Sequence, residues 1–225
     1  MHVDIRESVL RANDEIAADL RRDFARRGVT VLNLIGSPGS GKTALLERTL
    51  SGLAGRVRAA VLVGDVETDA DARRLAACGV PVHQIVTAGT CHLEAHAVAR
   101  HLAAVDGPDL EVLLIENVGN LVCPASFDLG EDGKVVVLSV TEGEDKPHKY
   151  PAVFHRAIAA VITKVDLLPH LDYDLDATRD GLRRLSPQAA VFELSARTGE
   201  GLDPWLGWLE GRVRAKREAA RRARA

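Results

Sequence analysis

The sequence predicts an α/β fold with a mostly parallel sheet flanked by helices. Two observations carry that expectation. Short β-branched runs alternate with helix-length amphipathic stretches, and "GSPGSGKT" at residues 36–43 stands between a buried-type strand and a helix. A length of 225 residues with 46% apolar side chains suits one domain with one sizeable core.

In chain order, the first twenty-five or so residues read as an added amphipathic helix, with Ile5, Val9, Ile16 and Leu20 apolar. Residues 1–28 are therefore assigned to an N-terminal helix and 29–225 to the main domain. Predicted strands follow at "VTVLNLI", "RAAVLVG", "VHQIV", "EVLLIEN", "KVVVLSV", "AAVITK" and "AVFELS", several of them apolar on both faces, as a sheet covered by helices requires. Between them, Leu45, Leu46, Thr49, Leu50 and Leu53 form one helical stripe, and "LEAHAVARHLAAV" and "LDATRDGLRRL" show similar spacing. The basic end, "RVRAKREAARRARA", reads as a solvated or frayed helix terminus.

Charge and cysteine usage narrow the functional classes. A net charge of −3 argues against a surface built to neutralise nucleic-acid phosphates. The start of the chain carries charges where a signal peptide needs its apolar region, and no apolar run approaches a membrane span, so a cytoplasmic protein is expected. Three cysteines, Cys78, Cys91 and Cys123, are too few and too odd in number for a disulfide framework. Cys78, in "LAACGV", is expected in the core.

"GSPGSGKT" fits G-x-x-x-x-G-K-[ST] at every fixed position, the P-loop pattern. Gly36, Gly39 and Gly41 let the backbone wrap a phosphate chain, with Ser37, Ser40 and Ala44 completing the loop and the first helical turn. Amide N–H groups supply partial positive charge and Lys42 a full one near the β and γ phosphates. Thr43 is positioned to hold Mg²⁺. In "EVLLIENVGN", Glu116 is the acidic group expected at the same Mg²⁺ and Gly119 the amide expected at the γ-phosphate; glutamate stands here where aspartate is usual. "TKVD" supplies Thr163, Lys164 and Asp166. Asp166 can accept from guanine N1–H and N2–H, which adenine lacks, while the Lys164 stem lies over the base. "SART" adds Ser195 and Ala196, whose amide faces the base O6, so GTP and GDP are favoured over adenine nucleotides. No glutamine or arginine stands at a spacing that marks a water-positioning residue.

A second constellation joins Cys91 and His92, adjacent at the start of a predicted helix, with Cys123. Thiolate beside imidazole suits Ni²⁺ or Zn²⁺ rather than Mg²⁺ or Ca²⁺. Three donors fall short of a closed tetrahedral set, so water or the same residues of a second chain complete it. His96, one helical turn from His92, is expected at the surface or supporting a ligand. On these residues alone, small buried cysteines and a stray histidine are the weightier reading.

The combination "GSPGSGKT", "GDVETDADA", "CHLEAH", "ENVGNLVCPASFDLGE", "SVTEGEDKPHKYP" and "TKVD" closely resembles the HypB family, GTPases that help insert nickel into [NiFe]-hydrogenases. The resemblance spans about residues 29–200. It implies a SIMIBI-type P-loop NTPase fold, slow GTP hydrolysis, a nucleotide-promoted homodimer with its metal site at the interface, and partnership with the nickel chaperone HypA and the hydrogenase large subunit. The N-terminal helix is the expected docking surface. Cys91, His92 and Cys123 match the family's metal positions. Asp71 matches its switch acid near Mg²⁺, with Asp65 a second candidate for orienting water or metal, and Lys149 in "KPHKYP" matches a residue that approaches the base.

The chain departs from the family pattern in three places. Its first residues carry no cysteine and no histidine-rich stretch occurs, so no separate nickel store is expected, and Thr163 stands where asparagine is commoner. Competing readings are a urease-type nickel accessory GTPase, a metal-binding module with a vestigial P-loop, and a small-molecule P-loop kinase. The short spacing from Gly119 to Cys123 predicts that γ-phosphate contact at Gly119 moves Cys123 relative to its partner ligands.

Overall fold

The computed structural model describes residues 5–65, 70–87 and 89–224, with side chains from residue 9 onward. Helix α1 (Ile5–Arg27) leads into β1 (Thr30–Ile35), α2 (Lys42–Leu53), β2 (Ala59–Asp65), α3 (Ala70–Ala76), β3 (Val82–Val86) and α4 (Ala95–His101). Then come β4 (Val112–Glu116), β5 (Gly133–Ser139), α5 (Lys146–Lys149), α6 (Pro151–His155), β6 (Ala157–Thr163), α7 (Leu175–Leu185), β7 (Ala190–Leu194) and α8 (Leu202–Arg224). All seven predicted strands are present.

The strands form one sheet in the order β3-β2-β4-β1-β5-β6-β7. Every neighbouring pair is parallel. Each crossover therefore carries a connection over a face of the sheet, which is why β1 and β4 are buried along their whole length. The order matters for chemistry. It sets β4 beside β1, with Leu34 opposite Glu116, so the P-loop and the acidic residue leave adjacent strands at the same edge.

Helix α2 buries the predicted stripe of Leu45, Leu46, Thr49, Leu50 and Leu53 against one face. The fully buried Trp205 of α8 joins that core and donates its indole N–H to Thr49 Oγ1 at 2.8 Å. On the opposite face lie α1 and α4.

Two local expectations are revised. The buried stripe of α1 runs through Asn13, Ala17, Leu20 and Phe24, whereas Val9 is 44% exposed and Ile16 is half-buried. The reason is polar: Asn13 fills the inward position because its amide donates to Asp128 O at 2.8 Å and its carbonyl accepts from Ala95 N at 2.8 Å. The side chain of Ile5 lies outside the described residues.

The basic end is not frayed. It is the continuation of α8, held by ion pairs of Lys216 with Asp132 and Arg217 with Glu111 and by Ala220 packed on Gly28. Cys78 is half-buried against the core beside α2, close to its expected place. Among the described residues, no helix is long and apolar enough to cross a membrane.

Candidate nucleotide and metal site

Because all strands run the same way, the loops after β1, β2, β4, β6 and β7 gather at one edge. A cleft of about 460 Å³ opens there, lined among others by Lys42, Thr43, Asp65, Asp71, Glu116 and Gly119. Residues 66–69 of the "GDVETDADA" segment lie outside the described residues.

The P-loop has the geometry of a phosphate cradle. Gly39 and Gly41 hold φ of +76° and +94°, a region that side chains disfavour. A Cβ on Gly36 would stand 2.4 Å from Val137 O and 2.5 Å from Ser40 Oγ. Ser40 is fully buried, and Ala44 lines the cleft in the first turn of α2, whose free amides point into the loop. Lys42 donates to Gly36 O at 3.0 Å and Ser37 O at 3.2 Å. Burial pulls its pKa below the ordinary lysine value, against the opposing pull of Glu116, Glu142 and Asp71. Gly119 sits against Pro38: a Cβ there would meet Pro38 Cγ at 2.9 Å and Pro38 N at 3.1 Å.

Thr43 Oγ1 donates to Glu116 Oε1 at 2.8 Å. Glu116 is 4% exposed, and burial pushes its carboxyl up to about 7 despite the Thr43 bond and the nearby Lys42 charge. Its second oxygen, Oε2, is buried with no hydrogen-bond partner. An orphaned carboxylate oxygen beside a threonine hydroxyl fits a hard divalent cation, which would neutralise the charge and fill the missing contact. Asp71 and Asp65 line the same cleft. Asp71 lies 3.5 Å from Arg74, an arginine that sequence spacing did not single out and whose fork also grips Glu47.

At the other end of the P-loop, Lys164 takes φ of +62° and donates to Gly39 O at 2.8 Å, which aligns its stem along the loop. Thr163 is buried and donates to Ser40 O at 2.6 Å. Its hydroxyl thus braces the P-loop from within. Asp166, after β6, lies 3.8 Å from Arg197 of the neighbouring "SART" loop. Ser195 accepts from Thr198 N at 3.1 Å, and Ala196 O accepts from Arg48 of α2. Lys149 is exposed and ion-paired with Asp145, while Lys146 on the same short helix reaches Ser37 Oγ at 3.2 Å. Sequence reasoning missed Lys146 because its reach depends on how α5 lies over the P-loop.

Beside this cleft, one donor atom from each of Cys91, His92 and Cys123 comes within 4.8 Å of the others. The two sulfurs are 2.9 Å apart and both thiols are free. The hydrogen bond with Cys91 raises the Cys123 pKa, with burial adding to it, so the thiol form is favoured here when no cation is bound. The His92 ring lies tilted against Phe127, with centroids 4.0 Å apart, and burial lowers its pKa, which favours the neutral ligand form. His96 is exposed and contacts Glu94 Oε2 at 3.2 Å, while Glu94 Oε1 lies 3.5 Å from His92 Nε2. A borderline-soft metal suits this donor set.

Two asparagines between the half-sites were not anticipated. Asn117 is buried and its carbonyl accepts from Leu93 N at 3.1 Å, while its amide donates to Asn33 at 3.1 Å. Asn120 pairs its backbone with Gly36 and points its amide at Cys91 O.

Residues 30–193 match the family model described as CobW/HypB/UreG, nucleotide-binding domain. The hydrogenase maturation factor HypB of Azotobacter vinelandii is 52% identical over 221 residues, covering 96% of this chain and 73% of that protein. The chain belongs to the HypB family. Two HypB crystal structures agree with its fold. The Archaeoglobus fulgidus structure superposes with a TM-score of 0.85 at 37% identity, covering 91% of this chain and 100% of that one. HypB from Helicobacter pylori, solved in complex with nickel, gives 0.84 at 36% identity, covering 91% and 96%. The fold is that of a P-loop NTPase, and HypB members are hydrogenase maturation factors.

Proposed function

We propose that the chain is a GTP-hydrolysing metallochaperone that binds nickel at Cys91, His92 and Cys123 and helps deliver it to [NiFe]-hydrogenase. The observation that carries this reading is that one segment, residues 116–123, lines the phosphate cleft at its start and supplies a thiol to the Cys/His cluster at its end. Family membership and the nickel-bound relative support the metal.

In this reading Asp166 and Lys164 select guanine, with Ala196, Ser195 and Lys149 around the base. Lys42 and the loop glycines hold the phosphates, and Thr43, Glu116 and Asp71 hold Mg²⁺, which shields phosphate charge when bound. Asp65 or Asp71 orients the attacking water. Turnover is slow, because among the described residues Arg74 is the arginine lining the cleft and its guanidinium is engaged by Glu47. Three donors leave the coordination set open, so a second copy of the chain or water completes it. The protein would act in the cytoplasm, in keeping with its free thiols, with HypA and the hydrogenase large subunit as partners.

Measuring nickel affinity with GDP and with a non-hydrolysable GTP analogue, alongside GTP turnover, tests the proposal. Affinities that differ between nucleotide states support a GTP-governed metal carrier. Absence of turnover would point to a vestigial P-loop, and turnover that needs a phosphoryl acceptor would point to a kinase.

A further inference from the structure

The Cys91-His92 dipeptide belongs to the connection between β3 and α4, far in sequence from both the P-loop and Cys123, yet it is held by the segment after β4. Asn117 fixes one end of it, accepting from Leu93 N at 3.1 Å. Asn117 is itself anchored in the sheet through Asn33 of β1, so this end is rigid. Asn120 holds the other end, donating to Cys91 O at 3.4 Å.

The same Asn120 carboxamide has a second task. Its oxygen accepts from Val122 N at 2.8 Å, forming a turn that sets the approach to Cys123. A single half-buried side chain therefore touches both thiol-bearing segments. Its backbone is the antiparallel partner of Gly36, the first glycine of the P-loop, and its chain neighbour Gly119 packs on Pro38 within that loop. The Cys91 bond is long for an N–H···O contact, so a displacement of a few tenths of an ångström would tighten or release it.

We infer that Asn120 is the positioning residue through which the nucleotide state reaches both thiols. Movement of the Gly36–Asn120 pairing shifts its carboxamide, and the Cys91 and Cys123 sulfurs change separation together while Asn117 stays fixed. The inference rests on the proposal that nickel affinity follows the bound nucleotide, and it names the side chain that carries the effect.

Asn120→Asp keeps the oxygen that caps Val122 N, removes the amide that donates to Cys91 O and bonds the Cys123 thiol, and adds a charge beside both sulfurs. Asn120→Ser keeps a shorter acceptor without adding charge and gives the same comparison. In the unaltered protein, nickel affinity with GDP and with the GTP analogue should differ by at least about fivefold, within the usual span of coupled sites. In both variants that ratio should fall to within about twofold of unity, with affinity for the analogue itself changed by less than about threefold. A metal-free readout accompanies it. Alkylation rates of Cys91 and Cys123, resolved by peptide mass, should depend on nucleotide in the unaltered protein and lose that dependence in the variants. Variants that keep the unaltered protein's ratios overturn the role of Asn120. Equal nickel affinities already in the unaltered protein would instead overturn the coupling on which it rests.

Discussion

Thr43 Oγ1 donates to Glu116 Oε1 at 2.8 Å across the junction of α2 and β4, while Glu116 Oε2 is buried without a hydrogen-bond partner among the described residues. Burial outweighs that bond and raises the carboxyl to about 7 against an ordinary 4.5, so it is protonated below neutrality and about half protonated near it. The folded state keeps a proton that the unfolded chain has released. Stability from this group is thus full below pH 4.5, falls as pH rises from 4.5 towards 7, and levels off above. The whole change is about 3 kcal/mol. Thermal melts without nucleotide or divalent cation should show the decline, and Glu116→Gln should flatten it. On the proposed Mg²⁺ role of Glu116, the ion displaces the same proton, so its affinity should rise with pH up to about 7 and proton release should be visible by calorimetry.

Cys123→Ala should abolish nickel binding at the Cys/His cluster, since one thiolate and one imidazole remain of three donors. Nucleotide affinity should be kept, because among the described residues this side chain bonds Cys91 and Asn120 rather than the P-loop. Thiolate-to-nickel charge-transfer absorption and equilibrium dialysis report the first, fluorescent nucleotide titration the second. Loss of both together would mark Cys123 as structural.

Asp166→Asn exchanges a two-oxygen acceptor for an amide that also donates. Guanine N1–H and N2–H then lose charged acceptors, a difference of about 1.5–3 kcal/mol. GTP affinity should fall about 10- to 100-fold, while a xanthine nucleotide, which presents a carbonyl at C2, should gain. Competition binding of GTP, xanthosine triphosphate and ATP distinguishes this from a general loss of fold.

Gly119→Ala sets a methyl 2.9 Å from Pro38 Cγ and 3.1 Å from its nitrogen, and the backbone nitrogen cannot step aside. The segment after β4 must lift from the P-loop, at a cost of about 1–3 kcal/mol in stability. Urea unfolding should register that cost. Affinity for the GTP analogue should drop more than affinity for GDP if the Gly119 amide meets the γ-phosphate as proposed.

The strands were legible because each is a continuous β-branched run between turn signals, and the β1 and β4 spans lie within a residue or two of expectation. The P-loop was legible for a different reason: its chemistry is contiguous, so glycines, lysine and threonine are read in one glance. What escaped was polar and long-range. Asn13 to Ala95, Asn33 to Asn117 and Thr163 to Ser40 join residues 82, 84 and 123 positions apart. An asparagine in a strand or helix looks like an exposed residue until its partner is known. The N-terminal stripe was misjudged on that account, with apolar Val9 taken for the inward face that Asn13 occupies. The cluster of Cys91, His92 and Cys123 was suggested by residue type and family likeness, and the contact between its halves depends on the turn at Asn120.

The chain's only two tryptophans, Trp205 and Trp208, are stacked 5.3 Å apart on α8, and the first is bonded to Thr49 of the helix that begins at Lys42. Their emission therefore originates at a single locus on the far end of the P-loop helix, with Trp205 buried and Trp208 partly exposed. Any shift of α2 on nucleotide exchange alters the indole's surroundings and its hydrogen bond at once. Stopped-flow tryptophan emission would read such a shift without a label.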